Sequence, residues 1–392
     1  MSLNEVNDEL VAWVRLTRTG ISPERLLSLL HCFKSPMSIF EADEDALLSV
    51  EGITDVHLSK LLRAKSDEGA LMDAQRLISI GGKLVTYFDE QYPPLLRQLS
   101  DAPIALYVIG ELPSSDELCV AIVGTRRPSD YGRQVSYRLA YELASYGAVV
   151  VSGMAVGIDG AAHQGALDAG GKTIAVLGCG VDVAYPRAHA KLRERIIGSG
   201  AVLSEFPLGA TPQPWHFPVR NRLISGMTMA TIVVEAPHNS GALLTADWAL
   251  EQGREVLVVP GPITNPNFKG NHQLIKEGAQ VVESAEDVFA ALGIPLEGVK
   301  ASKVVVGYSE GVKAEVPTLP GLSQVELKIL EVLSRGERHI DQIVRESGAP
   351  ISEVSMALLQ LEVKKLATRQ RGGFYALSQP QEAKGAKYTK RG

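Results

Sequence analysis

CVAIVGTRRPSDYG (residues 119–132) joins an unbroken apolar run to a Gly-Thr turn, two arginines and the start of a helical pattern. A Val/Ile-rich run without polar alternation suits a strand covered on both faces, as in a parallel sheet. Outward from this stretch the pattern repeats. Apolar runs at Ala148–Val151, Thr173–Leu177, Ala201–Leu203, Thr231–Val234 and Glu255–Val259 alternate with segments of helical spacing. Such alternation predicts right-handed βαβ units in a doubly wound, mostly parallel α/β sheet. Two further strands, Lys83–Tyr87 and Ile104–Ile109, precede it.

Ligands of an open α/β sheet sit beyond the carboxyl ends of its strands, in the crevice where strand order reverses. Helix N-termini there offer unpaired N–H groups and the positive end of the helix dipole, which suits phosphate. The unusual residues of this chain fall at those ends. Gly124, Thr125, Arg126 and Arg127 follow the first strand. VSGMAVGIDGAAH (151–163) supplies Ser152, Gly153 and Gly157, LGCGVDVAYPRAHAKLRER (177–195) follows the third strand, and SGALLTADWAL (240–250) sets Ser240 and Gly241 at another helix start. One such glycine is commonly there for tightness alone; four motifs at one edge of one sheet point to a ligand.

The usual cofactor fingerprints are missing. Neither G-x-G-x-x-G nor G-x-x-x-x-G-K-[ST] occurs, which disfavours a conventional dinucleotide site and P-loop hydrolysis. Arg126, Arg127, Arg187, and Arg220 with Arg222 in HFPVRNRLISG (216–226) lie beside predicted turns. Several guanidinium forks suit a polyanion better than a single nucleotide. Arg193 and Arg195 fit a solvated helix face.

Candidate catalytic groups are few. Asp159 and His163 stand one helical turn apart, as an acid–base pair or, more ordinarily, as a capping acid and a packed imidazole. Glu205 and Glu235 follow strands without a basic or nucleophilic partner nearby in sequence. No Ser/His/Asp elbow, no H-E-x-x-H and no metal-ligand spacing among the eight histidines is present, so no catalytic residue, metal or cofactor is assigned.

Composition sets bounds rather than a function. The 392 residues are 45% hydrophobic and 21% charged, ordinary values for a soluble globular chain of two or three domains. No apolar run is long enough to span a bilayer, and MSLNEVNDEL (1–10) lacks a secretory layout. Three widely spaced cysteines give neither a disulfide framework nor a zinc pattern, which leads us to expect a reduced, cytoplasmic protein without membrane insertion. The net charge of −6 resides in residues 1–90, which carry 15 acidic and 9 basic side chains. A nucleic-acid site must therefore be a local concentration of arginine.

Residues 1–82 read as a helical domain. Within it LLSVEGITDVHLSKLLRA (47–64) resembles a helix-hairpin-helix, with Thr54 in place of the usual second glycine and acids at Glu51 and Asp55. That composition suits packing more than DNA contact. Residues 83–292 form the α/β domain and 293–318 a linker. Leu322–Leu333, His339–Glu346 and Ser352–Lys365, followed by LATRQRGGFYAL (366–377), give a winged-helix pattern over 319–378, ahead of a basic tail, 379–392. The winged segment carries 8 basic and 7 acidic residues, and its third helix includes Glu353 and Glu362. Lys364, Lys365, Arg369 and Arg371 leave room for backbone contact, so partner binding and weak duplex binding both stay open.

Taken in order, VGTRRPSDYG (123–132), SGMAVGIDGAAHQGAL (152–167), LGCGVDVAYPRAH (177–189), LSEFPLG (203–209), HFPVRNRLISG (216–226) and EAPHNSGALLTADWALEQGREVLVVPG (235–261) resemble the DNA-processing protein DprA (Smf) family. The resemblance covers about residues 85 to 290. It implies an extended Rossmann-like core between a helical domain of sterile-alpha-motif type and a winged helix. It also implies a non-enzymatic homodimer, joined through the Rossmann-like domain, that binds single-stranded DNA, protects incoming strands in natural transformation and loads the recombinase RecA. By motif, the phosphate contacts carried over are Gly124, Thr125 and Arg126, Ser152 and Gly153, Arg187 (where lysine is common), Arg220, Asn221 and Arg222, and Ser240 with Gly241. The alternative is a Rossmann-type enzyme resembling the nucleoside-monophosphate phosphoribohydrolases. Against it, HNSGALLTADWALE (238–251) lacks their G-G-x-G-T core and has Asp247 and Glu251 as its only acids.

Overall fold

The computed structural model describes residues 5–295, 324–334, 336, 338–364, 366–369 and 374–377. All but the start of the expected linker, and the basic tail, lie outside the described residues. The chain divides into two compact units, residues 1–303 and 304–392.

The first unit opens with six helices: α1 (Asp8–Thr17), α2 (Pro23–Phe33), α3 (Pro36–Glu41), α4 (Glu44–Leu48), α5 (Asp55–Lys65) and α6 (Gly69–Ser79). Asn7 and Ser35 cap two of them by accepting backbone N–H groups. Their apolar faces share one core that takes in Leu10, Val14, Leu29, Leu30, Leu61 and Leu77. The α4–α5 hairpin turns at Gly52, where φ is +81° and the Arg25 guanidinium occupies the space of a Cβ. Arg25 of α2 thus packs on the hairpin, in keeping with a structural role.

Nine strands form one sheet: β1 (Gly82–Thr86), β2 (Ala105–Gly110), β3 (Cys119–Val123), β4 (Val149–Ser152), β5 (Thr173–Val176), β6 (Ala201–Ser204), β7 (Ala230–Val233), β8 (Glu255–Val258) and β9 (Gln280–Val281). Their order is β1-β2-β6-β5-β4-β3-β7-β8-β9, antiparallel at β1-β2 and β2-β6 and parallel elsewhere. Each expected parallel strand from β3 to β8 lies within one residue of its predicted bounds. Alternate residues of one strand enter different cores: Val149 and Val151 face one side, Val150 the other. This double burial is why the runs lack polar alternation, and each fully buried Val or Ile contributes roughly 1.5–3 kcal/mol.

The connecting helices are α7 (Pro94–Arg97), α8 (Asp130–Ser145), α9 (Ile158–Asp168), α10 (Ala190–Ser199), α11 (His216–Gly226), α12 (Gly241–Glu251), α13 (Lys269–Lys276) and α14 (Ala285–Ala291). The chain steps from β3 through β4 and β5 to β6, then returns to place β7 on the other side of β3. Strand order therefore reverses between β3 and β7, and the crevice at their carboxyl ends is the switch point.

The second unit consists of α15 (Gln324–Ser334), β10 (Arg338–His339), α16 (Ile340–Ser347), α17 (Ile351–Val363), β11 (Ala367–Arg369) and β12 (Phe374–Leu377). Its three antiparallel strands lie in the order β10-β12-β11 over a core of Ile329, Leu333, Ile343, Val354, Leu361 and Tyr375. This is a winged helix. Among the described residues, no helix is long and apolar enough to cross a membrane.

Candidate nucleic-acid interface

A cleft of about 360 Å³ opens at the switch point, lined by Gly124, Thr125, Arg126, Arg127, Asp159, Phe217, Arg220, Asn221, Ser240 and Gly241 among others. A recess of about 40 Å³ shares Arg126, Phe217 and Arg220 with it and adds Gly153 and Tyr185. A separate cavity of about 400 Å³ meets the cleft at Ser240, Gly241 and Leu244 and is lined by His238, Asp247, Gln273 and Glu277.

The first turn is braced from below. Thr125 donates its N–H to the Glu235 carbonyl at 2.7 Å. The buried Glu235 carboxylate accepts the Ser129 hydroxyl (2.6 Å) and N–H (3.0 Å) and the Asn267 amide (2.6 Å). Ser129 in turn caps α8 by accepting the Gly132 N–H at 3.1 Å. A Cβ on Gly132 would stand 2.0 Å from Glu235 Oε2, so a glycine is required there. Glu235, a candidate acid by sequence, is a strut. Above it Arg126 and Arg127 are exposed and make no ion pair among the described residues, although the Arg126 charge reaches Asp159 in the same cleft. The Arg126 guanidinium lies over the Phe217 ring, 4.8 Å from its centroid.

The second turn is tied by hydrogen bonds to a buried carboxylate and a buried guanidinium. Buried Asp159 accepts the N–H groups of Gly153 (3.2 Å) and Ala155 (3.3 Å). Burial pushes its carboxyl up, and the Arg220 charge and these hydrogen bonds draw it back. Arg220 is buried too. Its Nη1 donates to Gly153 O at 2.9 Å and also to Val176 O, while burial lowers its guanidinium to about 10, still protonated at neutral pH. Met154 holds a left-handed φ of +55°, an uncommon conformation for a side-chain-bearing residue. His163 does not face Asp159. Its Nδ1 lies 2.7 Å from Thr173 Oγ1, whose hydroxyl donates to Val150 O, so the imidazole Nδ1–H is the donor. Burial drives its pKa to about 3. His163 is packed as expected, whereas Asp159 tethers the Gly153–Ala155 turn instead of capping α9.

Of the residues expected to hold phosphate, Gly124, Thr125, Arg126, Arg220, Asn221, Ser240 and Gly241 come together in the cleft, and Gly153 joins the adjoining recess. Ser240 caps α12 by accepting the Ala242 N–H at 3.2 Å. Gly241 is informative because nothing within 4 Å would meet a Cβ there and its φ is not left-handed. Neither packing nor backbone calls for a glycine at this helix start. Ser152 is wholly buried and donates its hydroxyl to Ile122 O at 2.6 Å, supporting the turn from inside. Arg187 begins an exposed 3₁₀ turn, Arg187–His189, outside the cleft lining.

Arg222 is not brought to the cleft. It is buried in an ion pair with Glu205 and lies 3.3 Å from Asp101. Two residues apart on a helix, Arg220 and Arg222 point roughly 200° from one another, so one helix cannot aim both at the same crevice. Burial outweighs the Arg222 charge and lifts Glu205 to about 7. Phe217, the bracing of Glu235 and the tether of Asp159 were not foreseen. The aromatic at position 217, three residues before Arg220 on the same helix, was the available clue. Asp247 and Glu251 are both exposed on α12, and Asp247 lines the separate cavity rather than the cleft.

In the winged helix Lys364 pairs with the buried Glu326 at 2.6 Å, and Arg338 approaches Glu346 at 3.7 Å. Glu353 and Gln360 are exposed on α17, whereas Lys365, Arg371 and the side chain of Arg369 lie outside the described residues.

Sheet, switch point and arginine-lined strand ends define a Rossmann-like domain with a cationic edge, followed in the chain by a winged helix. The chain belongs to the DNA recombination-mediator protein A family, whose model matches residues 83–293, and the model of the DprA winged helix domain matches residues 313–373. It is 39% identical over 298 residues to protein Smf of Escherichia coli (strain K12), covering 75% of this chain and 77% of that one. It is 44% identical over 204 residues to DNA processing protein DprA of Bacillus subtilis (strain 168), covering 52% and 69%. The X-ray structure of DNA processing protein A from Streptococcus pneumoniae superimposes with a TM-score of 0.63 at 34% identity, over 73% of this chain and 98% of that one.

Proposed function

We propose that this chain processes DNA by binding single strands, their phosphates seated in the β3/β7 cleft, and that it acts as a recombination mediator rather than as an enzyme. The observation that carries this reading is the exposed Arg126–Arg127 pair, in no ion pair among the described residues, lining one cleft with the Ser240–Gly241 helix start. Guanidinium forks and free helix N–H groups are complementary to phosphate oxygens, and a row of them suits a strand. Arg187 extends the cationic edge. Arg220 and Asn221 shape it, and Ser152, Gly153, Gly124 and Thr125 form its turns.

Protection of incoming strands in natural transformation, loading of RecA, a homodimer through the Rossmann-like domain and action inside the cell are further parts of the same proposal. The near-neutral winged helix suits a protein partner or weak duplex contact. In a gel shift, Arg126→Ala combined with Arg187→Glu is expected to weaken single-strand binding strongly. Unchanged affinity in that variant would overturn the site.

A further inference from the structure

Trp215 stands at the foot of α11, immediately before the helix that carries Phe217 and Arg220 into the cleft. It is 63% exposed, while Trp13 is buried. Single exposed apolar residues are ordinary on a surface, so what marks Trp215 is its place at the start of the helix that lines the cleft. The ring is not loosely held. Its centroid lies 4.0 Å from that of His216 in an edge-to-face contact, and Phe206 stacks on His216 at 4.0 Å. His216 is buried and its Nδ1 is 3.1 Å from Gly178 O, the carbonyl of a residue lining the recess beside the cleft. The neighbouring aromatic is already engaged. Phe217 lies under Arg126 at 4.8 Å, with Arg220 at 5.9 Å and Tyr185 at 5.7 Å.

We propose that Trp215 is a stacking platform for a nucleobase of the strand whose phosphates occupy the cleft. The proposal rests on the single-strand reading and adds the base to it. Single-strand sites pair a cationic track with aromatic faces, since every base has a π-face and a held strand must put its bases somewhere. Here the track is Arg126 and Arg127, the free aromatic is Trp215, and His216 is the one residue between Trp215 and Phe217, the ring under Arg126. A duplex, whose bases are already stacked on one another, could not use such a platform.

The test compares an oligothymidylate with an abasic strand of equal length, which has the same phosphates and no bases. Wild type, Trp215→Ala, Trp215→Phe and Arg126→Ala are titrated with both. Trp215→Ala should weaken oligothymidylate binding roughly 5- to 100-fold, leave the abasic strand unaffected and keep the salt dependence, while Trp215→Phe restores most of the loss. Tryptophan emission should be quenched on binding in wild type and far less in Trp215→Ala. Equal affinity of Trp215→Ala and wild type, or equal weakening for both strands, overturns the platform. So does a change in sedimentation of the unliganded Trp215→Ala protein, which would place the ring between copies of the chain. Arg126→Ala reports on the cleft separately: if it binds like wild type while Trp215→Ala does not, the phosphate site fails and the platform stands. No strand binding by wild type overturns both.

Discussion

In the strand-end cleft Arg126 and Arg127 are exposed and make no ion pair among the described residues, whereas in the winged helix Lys364 is held by Glu326 and Arg338 lies beside Glu346. The α/β domain, residues 83–292, carries 16 basic and 21 acidic side chains and the winged segment 8 and 7, so net charge does not mark the cleft. Partnering does. A carboxylate within the fold competes with phosphate for the same guanidinium or ammonium group, and an ion pair already made leaves little to gain from a strand. Within α11 Arg220 and Arg222 are both buried and engaged by the fold, Arg222 in an ion pair with Glu205 and Arg220 on the Gly153 and Val176 carbonyls near the Asp159 charge. Those arginines build the site; the exposed ones are free to bind.

The largest effect should come from a paired arginine. Arg222→Ala strands Glu205 and Asp101 and should lower folding stability by roughly 3–5 kcal/mol, read in urea melts, with the salt slope of strand binding unchanged in the folded fraction. The loss should be larger at pH 8 than at pH 5, because Glu205 titrates near 7 and is neutral below it. In wild type, a carboxyl raised above its unfolded value contributes stability that is present at low pH and fades as pH rises through about 7. Glu205→Gln should flatten that decline. A pH-independent Arg222→Ala defect would break the distinction between building and binding arginines.

Arg126→Ala removes a free arginine and should do the reverse. Strand affinity should fall about 10- to 100-fold, as for a hydrogen bond to a charged group worth about 1.5–3 kcal/mol, with no measurable change in melting temperature. Next in size is Gly241→Ala. The chain has room for the methyl group, so stability should hold or rise by up to about 1 kcal/mol, while strand affinity drops several-fold; affinity equal to wild type would put the strand out of contact with this helix start. The smallest effect should follow removal of residues 319–392, with single-strand affinity altered less than about twofold, or ~0.4 kcal/mol. A larger drop would move part of the strand site into the winged helix.

Much of the fold was legible because double burial writes itself into sequence: Val120, Ala121 and Ile122 must all be apolar when both faces of β3 are covered. Strand β9 was not legible, since Gln280 and Val281 are both exposed and too few to show a pattern. The two-residue β10 is likewise too short to show a pattern. At the site, the turns were readable as Gly-Thr-Arg and Ser-Gly because phosphate edges need small residues and cations together. R-N-R at 220–222 was readable as charge but not as direction. Only the helical phase separates Arg220 from Arg222, and only the fold brings the Asp159 charge near the first and Glu205 to the second. Glu235 was ambiguous for a like reason, because its partners Ser129 and Asn267 are remote in sequence.

The most direct test is equilibrium binding of single-stranded and duplex DNA by wild type and Arg126→Ala, each at two salt concentrations. Wild type should prefer the single strand, and Arg126→Ala should lose affinity for it while its log K against log salt slope becomes shallower by about 0.7. Equal affinity of wild type for duplex, or an Arg126→Ala protein with wild-type affinity and slope, would contradict a strand held by its phosphates at the β3/β7 edge.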